Sequence, residues 1–249
     1  AATARADDAV QPAIDELTLA PDEVSLRGQG SSQQLLVTGV AGSGSAQRTT
    51  DLTREARFRS LQPQVATVDA AGTVTAVGNG QATIVVAARG LETKVAVDAG
   101  QAESQLPITL ENDVIPILTA HGCNAGACHG KARGQNGFAL SLLGFYPDFD
   151  YDALALEGRG RRVFPAAPDR SLLLTKPAGQ VPHGGGKRIE PGSRDYQILL
   201  RWIAEGMPRR QSGDAEVVRI SVEPAERSML NHGEQQLLVT AHYSDGTVR

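Results

Sequence analysis

The sequence predicts a multidomain chain in which an all-β sandwich is followed by a small mainly-α domain and the first strands of a second sandwich. Three observations predict it. From Ile14 to Asp98, short runs alternate apolar and polar residues and are punctuated by turns bearing Gly, Asp and Asn. Between residues 106 and 210 the alternation gives way to helix-type spacing. The charge also changes sign there, with 13 Lys+Arg against 10 Asp+Glu, compared with 11 against 18 in the remainder. After Val217 the opening strand pattern returns. The expected divisions are a flexible N-terminus or signal remnant over 1–13, a sandwich over 14–100, the middle domain over 106–210, and the start of a truncated second sandwich over 216–249.

At the start, Ala4-Arg5-Ala6 has the small-residue character of a signal cleavage region. Leu17 and Leu19, then Val24 and Leu26, alternate with polar residues, and Gln34–Thr38 is a further strand candidate. Gly39–Thr50 is rich in Gly, Ser and Ala and reads as a long loop or hairpin tip. Asp69 and Gly72 mark a turn inside Val65–Ala76, Gly78-Asn79-Gly80 marks another, and strands follow over Ala82–Ala88 and Thr93–Val97. About seven short strands in this span suit a β-sandwich. The stretches Ser60–Val68 and Gly72–Ile84 resemble the bacterial immunoglobulin-like domain, group 2. That resemblance implies an extracellular spacer or adhesive module without catalytic residues.

The repeat is explicit. Leu17-Thr18-Leu19-Ala20-Pro21 returns as Ile220-Ser221-Val222-Glu223-Pro224, and Gln33–Thr38 returns as Gln235–Thr240. A second sandwich is therefore expected to begin near Val217. Its first strands alone cannot bury both sheet faces, so the chain is expected to be the N-terminal part of a longer protein.

In the middle domain, Asn112 or Asp113 is expected to cap a helix running through Ile115, Ile117 and Leu118 to Gly122. Gly130–Gly144 reads as loop, with Phe138, Leu140, Leu142 and Leu143 as apolar cover; a short helix is expected around Tyr151–Glu157, and Ser193 caps a helix to Glu205 ended by Gly206 and Pro208. That last helix carries Tyr196, Leu199, Leu200 and Ile203 on one face, with Trp202 beside them as core packing. The only two cysteines stand in Cys123-Asn124-Ala125-Gly126-Ala127-Cys128-His129. A Cys-x-x-Cys-His run attaches c-type haem through two thioethers and one axial imidazole, and here the spacer is four residues instead of two. A Cys123–Cys128 disulfide leaves His129 without a role, and a zinc site lacks two further ligands.

The order Gly122–Gly130, Asp169–Leu174, Val181–Arg188 and Leu199–Gly206 resembles the planctomycete-type cytochrome c domain over about residues 107–210. The longer spacer departs from that family's commonest form and belongs to a subset flanked by immunoglobulin-like modules. The resemblance implies haem c, its iron held by His129. Where many relatives place a methionine before the last helix, this chain has His183 among glycines, with Met207 as the rival sixth ligand and an open position as the third option. Arg159, Arg161, Arg162, Lys176, Lys187 and Arg188 make the segment basic. They read as a solvated face or, at Arg161, Arg162 and Lys187, as partners for haem propionates. His121, His232 and His242 read as surface or structural.

A net charge of −4 gives no footprint for nucleic acid. No run of about 18 apolar residues is present to cross a bilayer. No Ser-His-Asp set, phosphate loop or paired carboxylate array supports hydrolysis or group transfer. The function expected is an exported, non-enzymatic electron-transfer module of the periplasm or cell surface, cycling iron between ferric and ferrous states. Its partner would be a redox protein or downstream domains of the same longer chain. The competing expectations are a non-redox adhesive or spacer protein with the Cys123–Cys128 disulfide, and a metal-binding module using His129 and His183.

Overall fold

Alternation of apolar side chains builds two opposed faces in the N-terminal region, as the computed structural model of the chain shows. The structure describes residues 13–210, 213–229 and 233–249. The expected N-terminal remnant through residue 12, including Ala4-Arg5-Ala6, lies outside the described residues, as does His232. Two compact units result: residues up to Leu106 together with Ala215–Arg249, and Pro107–Asp214.

In the first unit, strands β1 (Glu16–Ala20), β4 (Leu36–Ala41) and β5 (Arg48–Asp51) form one sheet, and β3 (Ser32–Gln34), β8 (Thr73–Ala76) and β7 (Ala66–Val68) form another. The four-stranded sheet is ordered β2 (Glu23–Arg27), β10 (Leu91–Gly100), β9 (Gly80–Ala88), β6 (Arg57–Ser60), with β2 and β10 parallel and the other pairs antiparallel. Every second residue of β9 and β10 (Ala82, Ile84, Val86, Ala88; Val95, Val97, Ala99) points into a single core shared with Leu17, Leu35, Val37, Ala66 and Val74. This is a sandwich, its layers joined by apolar burial.

Two details differ from the sequence expectation. The strand expected over Gln34–Thr38 is split, because Leu35 is fully buried and gives its N–H to the Gly72 carbonyl. β3 therefore pairs with β8 while β4 crosses to β1 and β5. The loop expected over Gly39–Thr50 is shorter, since Gly39 pairs with Thr50 inside a β-ladder. A Cβ on Gly39 would stand 2.6 Å from the Leu52 side chain, so this glycine permits close packing and marks no turn.

The repeat carries its register with it. Leu19 opposes Val37 in the β1–β4 pair, and the repeat-equivalent Val222 opposes Val239 in the pair of β11 (Val217–Glu223) with β12 (Leu238–Tyr243). Thr18 opposite Thr38 likewise recurs as Ser221 opposite Thr240. His242 bonds Ser221 and Arg219 across this hairpin, a structural role.

The second unit is helical. The first cap is Thr109, not Asn112 or Asp113. Its hydroxyl accepts from the Asn112 N–H, and the Asp113 carboxylate accepts in return from the Thr109 N–H, a reciprocal cap. A π-helical turn, Leu110–Val114, then leads into α1 (Ile115–Ala120). That extra turn moved the start three residues upstream of the expected one. The helix expected around Tyr151–Glu157 begins earlier, as α2 (Pro147–Tyr151), where Pro147 stands in the first turn, and continues through the expected span as a π-helical turn over Asp152–Leu156. α3 spans Leu172–Thr175, and α4 spans Arg194–Ala204 with Ser193 as its cap. Trp202 is fully buried in the core with Leu199, Ile203 and Leu174, its indole N–H bonded to the Pro208 carbonyl.

Asp150 fixes the loop before α2. Its carboxylate is buried and accepts from both the N–H and the hydroxyl of Ser141, at 2.6 Å each. Burial pushes its pKa above the ordinary 3.8, against the pull of those two bonds. Asp150→Ala leaves both Ser141 donors buried without an acceptor, and we expect about 3 kcal/mol of destabilisation in a thermal or denaturant melt. Because the folded carboxyl holds its proton more tightly than the unfolded one, wild-type stability rises as pH falls from the folded pKa towards 3.8. The alanine variant lacks that gain.

Candidate functional site

α1 delivers the chain to the cysteine stretch. His121 ends the helix and pairs with Asp195 at 2.8 Å, a helix-end position as expected, though tied to α4. Gly122 turns the chain at a positive φ of 69°, and Cys123 gives its N–H to the Leu118 carbonyl. The four spacer residues then wind into a closed arch. Cys128 and Gly130 both donate to the Ala125 carbonyl, and His129 donates to the Cys123 carbonyl at 3.0 Å. Asn124 is buried beneath the arch, its amide bonded to the Thr119 hydroxyl and its carbonyl accepting from Leu143. Gly130 passes so close to Asn124 that a Cβ there would lie 1.9 Å from the Asn124 carbonyl oxygen.

The arch sets Cys123, Cys128 and His129 on the wall of one cavity of about 340 Å³. Leu118, Phe138, Leu140, Leu173 and Ile189 line it with apolar surface, and Arg161, Arg162, Lys176 and Arg188 add positive charge. Both cysteines are free, so the Cys123–Cys128 disulfide of the competing expectation is corrected: the arch holds two separate thiols on the cavity wall. Burial, then the neighbouring Cys128, pushes the Cys123 thiol above its ordinary pKa of 9.0, partly offset by Arg188.

His183 reaches the same cavity from the glycine loop. Its ring lies 6.5 Å from that of His129, centre to centre, with the planes within 7° of parallel. Each ring is oriented by a backbone carbonyl: His129 Nδ1 bonds Phe138 O at 3.0 Å, and His183 Nδ1 bonds Gly186 O at 2.8 Å. A carbonyl can only accept, so both Nδ1 atoms carry hydrogen, and each ring leaves Nε2 as the atom available to a ligand. Burial holds the His129 pKa below its ordinary 6.5, with His183, Arg162 and Lys176 adding to the fall, so the ring is neutral at pH 7. One metal ion with about 2 Å to each imidazole nitrogen, and about 1.1 Å from each nitrogen to its ring centre, spans roughly 6.2 Å. The 6.5 Å between the ring centres is close to that length, which applies to rings whose Nε2 atoms face the ion.

The donor set decides which group these residues fit. Among the described residues no three His, Cys, Asp or Glu side chains are grouped to hold an ion by themselves, which a zinc centre needs. Two imidazoles with ring centres 6.5 Å apart, two free thiols beside one of them, an apolar lining and a basic flank are the kinds of donor and surface that a haem takes.

The other expected site residues separate. Arg161 lines the cavity. Arg162 lines it too, but its guanidinium bonds the carbonyls of Ala153 and Gly137 and covers the Phe138 ring, so it also braces the wall. Lys187 does not line it and pairs with Glu190 at 2.6 Å; the adjacent Arg188 lines it instead. Met207 packs on the helical core, and its N–H is bonded to the Trp202 carbonyl. Of the expected apolar cover, Phe138 and Leu140 line the cavity, whereas Leu142 and Leu143 are exposed. Phe138 acts also through its carbonyl and through a ring 4.5 Å from that of His129, and a backbone acceptor leaves no mark in a sequence.

Comparison with known proteins bears on the first unit. The family described as intimin, immunoglobulin-like domain, matches residues 56–89, which hold β6 to β9. Among solved structures, domains 5–6 of the S-layer protein SbsC are 21% identical over 36% of this chain and 46% of that one, at a TM-score of 0.29. An intimin mutant of EHEC O157:H7 is 20% identical over 34% of this chain and 47% of that one, at 0.26. The chain thus spans about half the length of either structure. No curated protein sequence is matched. No helix among the described residues is long and apolar enough to cross a membrane. Within the first unit, the β6–β9 stretch is thus similar to an immunoglobulin-like domain family.

Proposed function

We propose that the chain is an exported electron carrier in which residues 107–214 hold one covalent haem c, with the immunoglobulin-like sandwich, of the group 2 type, as its extracytoplasmic carrier. The observation that carries this reading is the His129–His183 pair, near-parallel and 6.5 Å apart, on a cavity that also bears both free cysteines. Cys123 and Cys128 would hold the group by thioethers, and His129 and His183 would bind its iron. Arg161, Lys176 and Arg188 are the cations placed to meet its carboxylates. When bound, it supplies a one-electron ferric/ferrous couple. The chain's own part is to keep both imidazoles aimed, exclude water with Leu118, Phe138 and Leu173, and favour a low potential through two nitrogen ligands in place of a His/Met pair. The role proposed is transfer, not catalysis, to a redox protein or to further domains of the same polypeptide.

The family match at residues 56–89 favours a second reading, in which the whole chain is a surface adhesive or spacer and the cavity serves no cofactor. The mass and visible spectrum of protein from an export-competent host with haem maturation separate the two. Haem mass retained after denaturation, with a low-spin spectrum, supports the carrier; a colourless chain at its bare mass supports the spacer.

His183→Ala tests the ligand pair. With His183 gone, the haem mass should stay and the low-spin bands should give way to high-spin ones, returning on addition of imidazole. Met207→Ala should change neither. A low-spin His183→Ala protein without added imidazole would rule His183 out.

A further inference from the structure

The C-terminal hairpin exposes a face that its own repeat buries. In the first sandwich Leu17 is 6% exposed and Val37 0%; the repeat-equivalent Ile220 and Val239 are 61% and 57% exposed. Leu35, at 0%, corresponds to Leu237 at 59%. The cross-strand pairs Ile220–Ala241 and Val222–Val239 put these side chains on one face, where Leu17–Gly39 and Leu19–Val37 lie in the first copy. The opposite face is already in use. Leu238 and Thr240 are buried, and the leading segment is held to the first sandwich by Gln236 N–H on Asp51 and by Arg54 with Glu234.

We propose that the Ile220–Val222–Val239 face receives a β-sheet patterned like β9–β10, supplied by further polypeptide of the same gene product, which completes a second immunoglobulin-like sandwich. The repeat identifies the occupant. In the first copy the equivalent face packs against Ile84 and Val86 of β9 and Val95 and Val97 of β10. Matching register in the two hairpins means the second copy presents its apolar residues in the same geometry to the same kind of cover. An open apolar stripe of this kind also marks an aggregation-prone edge until it is covered. The inference does not depend on the haem.

The test compares the 249-residue chain with the product translated to the stop codon of its gene, each as wild type and as Val239→Lys. In the 249-residue chain, the substitution should reduce binding of an apolar fluorescent dye several-fold and leave the thermal midpoint in place. In the longer product, dye binding should already be low. There Val239→Lys should lower the midpoint by more than about 5 °C, because the lysine is forced into a core. Equal tolerance of Val239→Lys in the two proteins, or a reading frame that stops at Arg249, overturns the proposal. So does a stable dimer of the 249-residue chain with little dye binding, which assigns the face to a second copy.

Discussion

A chain carrying Cys123→Ser and Cys128→Ser together, matured beside the wild type, is expected to lose all haem that survives denaturation while keeping a cavity able to bind haem reversibly. The expectation rests on the division of labour in the arch. The two thiols are free and separate, and neither is needed to orient the imidazoles, because Phe138 O and Gly186 O do that. Removing both sulfurs therefore removes the covalent links and leaves the ligand pair, the apolar lining and the cations of Arg161, Lys176 and Arg188 in place. Denatured double variant should show the bare polypeptide mass; native double variant given haem should show low-spin bands that acid–organic extraction removes. Single variants should each keep the group by one bond. Cys128→Ser keeps the Cys123 thiol, which burial makes harder to ionise, so its maturation is expected to be slower than that of the wild type. Covalent haem on the double variant would sink the assignment of these cysteines. A colourless wild type would sink the carrier reading altogether.

Much of the frame was legible because it rests on periodicity. The alternation of β9 and β10 and the repeat of Leu19–Pro21 at Val222–Pro224 specify inward and outward positions, and the hairpin registers agree residue for residue. At the site, adjacency was legible where chemistry forces it: Cys128 beside His129, and a histidine among glycines at 183. Lys187 and Arg188 were not separable, because neighbours in an extended loop face opposite sides, and only the fold shows that Arg188 lines the cavity while Lys187 turns to Glu190. Thr109 was missed as a cap because the π-helical turn breaks the spacing that a capping rule assumes. Phe138 was legible as apolar cover, but its hold on His129 was not, because that contact is made by a carbonyl, which every residue has. The legible residues are those whose side-chain identity is the function; the others serve through where the backbone puts them.

Gly130 belongs to that second class, and Gly130→Ala should be strongly damaging to the arch. The added methyl would lie 1.9 Å from the Asn124 carbonyl oxygen, 2.6 Å from its carbon and 3.0 Å from the Ala125 carbonyl carbon. All three are backbone atoms, so no rotamer change relieves the overlap. Relief requires the arch to open, which draws the Asn124 carbonyl off the Leu143 N–H and the Gly130 N–H off Ala125. Overpacking with two strained hydrogen bonds is expected to remove about 3 kcal/mol, a fall of roughly 12 °C or more in the midpoint of a domain this size. Haem attachment should drop with it, since both thiols project from the arch. Gly122→Ala is the control: φ is 69° there, but nothing lies within 4 Å of the new methyl, so only the left-handed backbone is penalised, by about 1 kcal/mol. If the two variants melt within about 2 °C of each other, close approach at Gly130 is not what holds the arch. If Gly130→Ala alone loses both stability and haem, the four-residue spacer works because a glycine after His129 lets the chain fold back across it.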